Sequence, residues 1–373
     1  MPLFYELDEL EPDRRTRVAA NLLALREALT QGNDDPDQRI PPKNTDDTLL
    51  LATWNLQAFD GGDADNRTDE SYWYIAEIMS HFDLIAVQEV GADLGGLEKL
   101  EDMLGPTWDH IVTDVTKGTA GNGERLAFLF DTRKVLFGGL AGEIVVPPVE
   151  ENRRTIAPSN QLVRTPQLVG FTSGWFKFML TTVHIIWGED EENSPLRVEE
   201  IRTLAQFLKE RTEEEGVWSQ NSILLGDFNI FSREPHNDAY QAFADNGFLI
   251  PDKLQTVPHS NVGSEHRFYD QIAMRTVESN LMPTGKAGVF DYFEVVYRDE
   301  DFGTYIPDMS GGYPPDDRRN GLTFNTKGNP RSDRAQKTYY RTSWRRRQMS
   351  DHLPMWVELK IDHGLDYLNK RSL

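Results

Sequence analysis

Ser350-Asp351-His352-Leu353-Pro354 leads straight into the alternating run Leu353 to Ile361 (LPMWVELKI), and the reading of this chain turns on that stretch. Apolar residues at every second position are the pattern of a strand with one buried face. A strand beginning directly after Asp-His holds both polar side chains at the rim of a sheet, where a substrate can meet them. Four more polar clusters sit at the edge of an apolar run: Trp54-Asn55, Gln88-Glu89, Gly226-Asp227-Phe228-Asn229 and Tyr269-Asp270. Taken singly each has a plain explanation, such as a core tryptophan, a solvated strand end or an Asx turn. Their shared position beside strands points to one carboxylate–amide–histidine site suited to metal-assisted phosphate chemistry.

Glu89, Asp227, Asp351 and the amides Asn55 and Asn229 offer hard oxygen atoms, which suit Mg²⁺ or Mn²⁺. Zinc would call for His or Cys pairs at short spacing, and none is present. An ion held by one or two carboxylates neutralises phosphate oxygens and stabilises a leaving alkoxide. His352 is the candidate to route the proton of an attacking water, with Asp270 to fix its tautomer. His184, at the end of the apolar run from Trp175 to Val183, is placed to donate to a phosphate oxygen, with Glu124 as a partner.

The 373 residues suffice for two domains or for one large domain with additions. Because the clusters run from Asn55 to His352, they belong to a single catalytic domain if they converge. There are no cysteines, which excludes disulfides, thiolate metal sites and a cysteine nucleophile. No apolar stretch is long enough to span a bilayer as a helix. The N-terminal MPLFYELDELEPDRR has no basic segment followed by an apolar one, so a cytoplasmic protein without membrane insertion is expected. The formal net charge of −22 opposes binding to a polyanion. Screening over ~8 Å at physiological salt lets local basic residues outweigh distant acids.

Residues 1–46 read as an extension: a helix over 12–30 with Val18, Leu22, Leu25 and Leu29 at helical spacing, then a polar, proline-containing linker. The remainder, 47–373, reads as the catalytic domain. Strands are expected at 49–54, 83–87, 108–113, 125–130, 134–146, 166–172, 175–186, 223–225, 268–274, 289–297 and 353–361. Helices are expected after Thr68, after Pro195 and near 238–246. Few helical crossovers separate the strands. The fold class is therefore α/β, with two mostly antiparallel sheets packed face to face under outer helices. An insertion at 283–347 is rich in Gly, Pro and aromatics, and its end carries Lys327, Arg331, Arg334, Lys337, Arg341, Arg345, Arg346 and Arg347 against Asp333. It reads either as a nucleic-acid grip, with Arg345 and Arg346 on phosphates and aromatics stacking on unpaired bases, or as a packed hairpin with solvated charges.

At these residues the chain resembles the endonuclease/exonuclease/phosphatase superfamily of metal-dependent phosphoesterases, which includes pancreatic deoxyribonuclease and the abasic-site endonucleases. The segments TWN (53–55), QE (88–89), ERLAFLF (124–130), RTP (164–166), TVH (182–184), GDFN (226–229), YDQI (269–272) and SDHLP (350–354) occur in the family's order. The resemblance implies a four-layer α-β-β-α sandwich with the site at one end of the two sheets. It implies that Glu89 binds the metal with Asn55 and Asp351 close by, and that Asp227 and Asn229 position nucleophile and phosphate. It implies pairs His352–Asp270 and His184–Glu124, and Arg164 on a substrate phosphate. Gly91 and Asn122 stand where pancreatic-type enzymes carry an arginine and a tyrosine for the DNA minor groove, so duplex reading of that kind is not expected. The Trp-x-Asp-Arg motif of the inositol polyphosphate phosphatases is Tyr269-Asp270-Gln271-Ile272 here.

The expected function is Mg²⁺-dependent phosphodiester hydrolysis of nucleic acid, as an endonuclease. One alternative keeps the chemistry and takes a phospholipid, sphingomyelin or small phosphoester, which the net charge favours. Another is a non-catalytic binding protein on the same fold, against which stands the retention of every carboxylate and the histidine.

Overall fold

The computed structural model describes all residues except 1, 33–38, 60–66, 119–120, 148, 152–154, 158–160, 235, 264, 277–280, 311–330 and 373. Two mixed sheets form the centre. The first holds six strands: β1 (Thr48–Phe59), β2 (Leu84–Val90), β3 (Trp108–Val112), β4 (Arg125–Asp131), β12 (Pro283–Val289) and β13 (Met355–Lys360), in the order β12-β13-β1-β2-β4-β3. The second holds five: β5 (Leu136–Glu143), β8 (Gln167–Ser173), β9 (Phe176–His184), β10 (Asn221–Asp227) and β11 (Asp270–Thr276), in the order β11-β10-β9-β8-β5. A separate hairpin pairs β6 (Val149–Glu151) with β7 (Thr155–Ala157). Among the described residues, β1–β2 and β9–β10 are the only parallel pairs within the two main sheets. The α/β sandwich of mostly antiparallel sheets is thus as expected.

β1 is apolar almost without a break because it lies mid-sheet, between β13 and β2, and faces protein on both sides. Phe128 of β4 and Phe171 of β8 meet edge-on at 5.6 Å across the space between the sheets. Parallel pairing needs a crossover. Helix α2 (Asp69–Ser80) and helix α4 (Pro195–Glu213) supply the two crossovers, from β1 to β2 and from β9 to β10. α5 (Asp238–Asp245) packs on α4 and starts with Asn237 accepting from the Tyr240 N–H at 2.8 Å.

α1 (Pro12–Gln31) opens on a proline in its first turn and ends at Gly32 in the left-handed conformation, φ 85°. Its stripe of Val18, Leu22, Leu25 and Leu29 is buried, and it lies along α2. Arg17 donates to Glu70 at 2.8 Å, Asn21 to the Tyr74 hydroxyl at 2.8 Å, and Arg26 to both oxygens of Glu77 at 2.7 and 2.8 Å. The remaining helices are α3 (Gly95–Leu104), α6 (Asp252–Thr256), α7 (Phe302–Ser310), α8 (Asp333–Tyr339), α9 (Arg345–Gln348) and α10 (Gly364–Arg371).

One local expectation is corrected and one open reading is narrowed. The strand placed at 289–297 is β12, which ends at Val289; Asp291 then accepts from the Phe293 N–H at 2.9 Å and turns the chain into a short helical turn at Tyr292–Glu294. Thr68 precedes α2 but makes no capping bond, its hydroxyl facing Ser71 and Tyr297 instead. Beyond β12 the described part of the insertion is mostly helical and packed: Tyr292, Phe293, Tyr297, Tyr305, Tyr339, Tyr340 and Trp344 are buried. Those rings do not form a platform for unpaired bases. Tyr313, Phe324 and Lys327 lie outside the described residues.

Candidate active site

The strand-end clusters converge at one end of the two sheets. β9 and β10 run parallel and place His184 beside Asp227 in register, while β11 runs back and places Asp270 opposite Asp227. Gly226 is required there: its φ is 136°, and a Cβ would come within 2.2 Å of the Val183 carbonyl oxygen. From the other sheet, β1 and β2 bring Asn55 and Glu89. Both strands break register just past these residues, and Glu89 takes a left-handed φ of 60°. That conformation costs a β-positioned carboxylate about 1–3 kcal/mol and is held by bonds to the Asn55 amide at 2.9 Å and the Ala58 N–H at 2.8 Å.

Asp227 Oδ2 is the hub. Asn55 Nδ2 donates to it at 3.0 Å, and the Nε2 atoms of His352 and His184 each stand 3.6 Å away. The Asn229 N–H binds the other oxygen at 2.9 Å, while its side chain donates to the Ile185 carbonyl. His352 Nδ1 lies 2.8 Å from Asp270 Oδ2, which also accepts from Ser260 Oγ at 2.6 Å. His184 Nδ1 lies 2.6 Å from Glu124, Glu124 pairs with Arg164, and His184 Nε2 stands 3.9 Å from Glu89. Both histidine pairs named from the sequence are therefore formed. Glu89 and His352 share one neighbourhood through Asp227.

Charge follows geometry. Burial alone would lower His352, but Asp270 and Asp227 hold it well above the ordinary histidine range. His184 is raised likewise, against burial, by Glu124 and Asp227. Burial would raise Asp227, yet the two imidazoles, the Asn229 N–H and Asn55 bring it below the usual carboxylate value. The surroundings thus favour the charged form of the buried acid and of both histidines.

Two more carboxylates adjoin this group: burial would raise Glu89, but His184, the Asn55 amide and the Ala58 N–H bring it below the usual carboxylate value. Asp351 is raised by burial and next by the charge of Glu89, against the pull of His352 and Arg346. Repelling carboxylates with oxygen-only donors fit a hard dication such as Mg²⁺ or Mn²⁺. Asn55 Nδ2 donates to Glu89 and Asp227 and its Oδ1 accepts from the Gln57 N–H, so it braces Glu89. The imidazoles close to Glu89 and Asp227 are already paired with Glu124 and Asp270.

The arginines divide. Arg164 is held on Glu124, one residue behind His184. Arg345 is tied to Asp299 at 2.8 Å and the Tyr297 carbonyl at 3.2 Å, and lies over the Phe293 ring. Arg346 lowers Asp351 through its charge and lies beside Gly263.

Sequence reasoning assigned no role to the supports. Ser350 donates to the Asn55 carbonyl at 2.6 Å and accepts from the His352 N–H at 3.0 Å. The Trp54 indole N–H binds the His352 carbonyl at 2.9 Å. Gln88 reaches across to Thr182 at 2.9 Å, joining the sheets beneath the site. Ser260 carried no signal, since it sits in a polar loop like many serines.

Two facing sheets under helices, with this constellation at their common end, define a fold shared with known phosphoesterases. No protein-family model and no curated protein sequence matches the chain. Among solved structures it is similar to an endonuclease/exonuclease/phosphatase family protein of Bacteroides thetaiotaomicron, at 19% identity over 84% of this chain and 98% of that one, TM-score 0.51. A mannosyl-6-phosphatase of the same organism is 18% identical over 83% and 99%, TM-score 0.51. A protein of unknown function from Enterococcus faecalis is 15% identical over 83% and 99%, TM-score 0.50. The chain has the endonuclease/exonuclease/phosphatase fold. Among the described residues no helix is long and apolar enough to cross a membrane.

Proposed function

We propose that the protein is a divalent-metal-dependent phosphodiesterase acting on nucleic acid. The observation that carries the chemistry is Asp227 Oδ2, met within 3.6 Å by two imidazoles and braced by the amide that also holds Glu89. Glu89 and Asp351 would hold Mg²⁺ or Mn²⁺, which when bound supplies charge neutralisation at the phosphate and the leaving oxygen. Asp227, held below the usual carboxylate range, accepts the proton of the attacking water. This moves the proton-accepting role from His352, whose protonated form Asp270 and Asp227 favour. His352 and His184 donate to phosphate oxygens as negative charge builds, and Asp270 and Glu124 keep each ring turned outward. Asn229 fixes the Asp227 carboxylate through its N–H.

Arg346 is the basic residue placed to meet a neighbouring phosphate; Arg345 serves the packing of the insertion. The burial of the insertion's rings favours a second reading, a small phosphoester substrate. A panel of supercoiled DNA, single strands, RNA, lipid and simple diesters, with Mg²⁺ or Mn²⁺ and a His352→Ala control, separates the two. Turnover of nucleic acid that stops with chelator supports the first reading. Turnover of lipid or small ester alone replaces it with the second.

A further inference from the structure

Trp187, Phe231 and Tyr269 lie at the same end of the second sheet as the site, on three chain segments that also carry its residues. Trp187 follows His184 by three positions, Phe231 follows Asn229 by two, and Tyr269 directly precedes Asp270. Their rings form one cluster: Trp187 stands 5.2 Å from Phe231 and 5.5 Å from Tyr269, and Tyr269 stands 5.5 Å from the His352 ring. The cluster is rigid from behind. The Arg267 guanidinium lies 3.7 Å from the Phe231 centroid and 5.2 Å from Trp187, and the fully buried Arg197 lies 4.3 Å from Phe231. Arg197 also donates to the Trp187 carbonyl at 2.6 Å, so the backbone of that loop is fixed. Trp187 nevertheless remains 37% exposed.

We propose that Trp187 is a stacking shelf for an unpaired nucleobase of the nucleotide attached to the scissile phosphate. Tyr269, whose ring stands at 69° to it, bounds the shelf beside His352, and the two so set substrate preference. The proposal rests on the phosphodiesterase reading above and names what that site selects. A phosphate held by His184 and His352 brings its esterified group next to Tyr269, since that ring touches the His352 ring. Arg267 is neutralised by Asp190 at 3.0 Å and by Glu265, so the shelf offers little charge to a second phosphate. A cation behind an aromatic ring leaves its outer face less negative, which suits an electron-rich planar partner such as a purine. Stacking of that kind tolerates sequence and requires the base to be out of a duplex. These are positioning residues, since they touch the substrate away from the reacting atoms.

The test uses an adenine-bearing oligonucleotide and the same oligonucleotide with an abasic sugar beside the cleaved bond, with Trp187→Ala and Trp187→Phe. Trp187→Ala is expected to raise KM about tenfold for the base-bearing substrate, with kcat within about twofold and the abasic substrate unaffected. Trp187→Phe should recover most of the loss. A readout free of turnover is quenching of tryptophan fluorescence by the adenine oligonucleotide in chelator, present in the wild type and reduced in Trp187→Phe. Equal losses on both substrates, or no loss on the base-bearing one, would overturn the shelf. Should neither substrate be cleaved while quenching persists and follows Trp187, the shelf stands and the hydrolytic reading fails.

Discussion

Replacing Asp270 by Asn tests the charge balance of the site most directly. Asp270 and His352 are both buried, and the 2.8 Å contact between them is charge-assisted. An amide is nearly isosteric, so packing survives, and Ser260 can still donate to its oxygen. What goes is the counter-charge that favours the protonated His352 ring and orients it. A hydrogen bond to a charged group contributes about 1.5–3 kcal/mol. At 1.36 kcal/mol per decade of rate this predicts a kcat about 10–150-fold lower. The assay is steady-state hydrolysis of bis(p-nitrophenyl) phosphate with saturating Mg²⁺, beside a thermal melt showing that the variant folds. Ser260→Ala removes a weaker bond to the same oxygen and should cost less than Asp270→Asn. A folded Asp270→Asn variant with kcat within about twofold of wild type would refute the assignment of His352 as a charged donor.

Glu89→Gln should weaken Mn²⁺ binding by about tenfold or more in calorimetry, because one of the two repelling carboxylates is lost; unchanged affinity would place the ion elsewhere. Arg346→Glu should raise KM for nucleic acid and flatten its salt dependence, while Arg345→Glu should chiefly lower the melting temperature, since it opposes Asp299. Leu25→Ala should destabilise by about 2–5 kcal/mol in denaturant unfolding if α1 is integral to the fold. Glu77 is held below the ordinary glutamate range: burial would raise it, but the paired Arg26 prevails. Its contribution is present above the unfolded value and is lost as pH falls through the depressed folded value, so Arg26→Ala should narrow the stability gap between pH 7 and pH 3.

Much of the fold was legible because strand periodicity and strand-end polarity coincide. β1, β2, β9 and β10 are apolar runs that stop at Asn55, Glu89, His184 and Asp227, and the chain order of the motifs matched. The helical insertion was not legible, since its glycines, prolines and aromatics look like loop, whereas Tyr305, Tyr340 and Trp344 pack together with Tyr297. Helix α3 hid behind its opening Gly95-Gly96. At the site, residue types gave the pairs His352–Asp270 and His184–Glu124, but protonation depends on what surrounds each ring. That required Asp227 to be seen between both imidazoles. The difference between Arg345 and Arg346 likewise lies in the direction of neighbouring side chains, which a basic run does not reveal.

β1 is bracketed by β13 on one flank and β2 on the other, so a strand from the start of the domain waits for one made some 300 residues later. During synthesis at about 5–20 residues per second that interval lasts some tens of seconds, with the buried face of Leu49 to Trp54 uncovered along one edge. His352, whose carbonyl anchors Trp54, emerges at the close of the same interval. On the phosphodiesterase reading, a nascent chain is therefore inert toward phosphoesters until His352 has been made, and the long wait marks β1 as the segment on which chaperones would act.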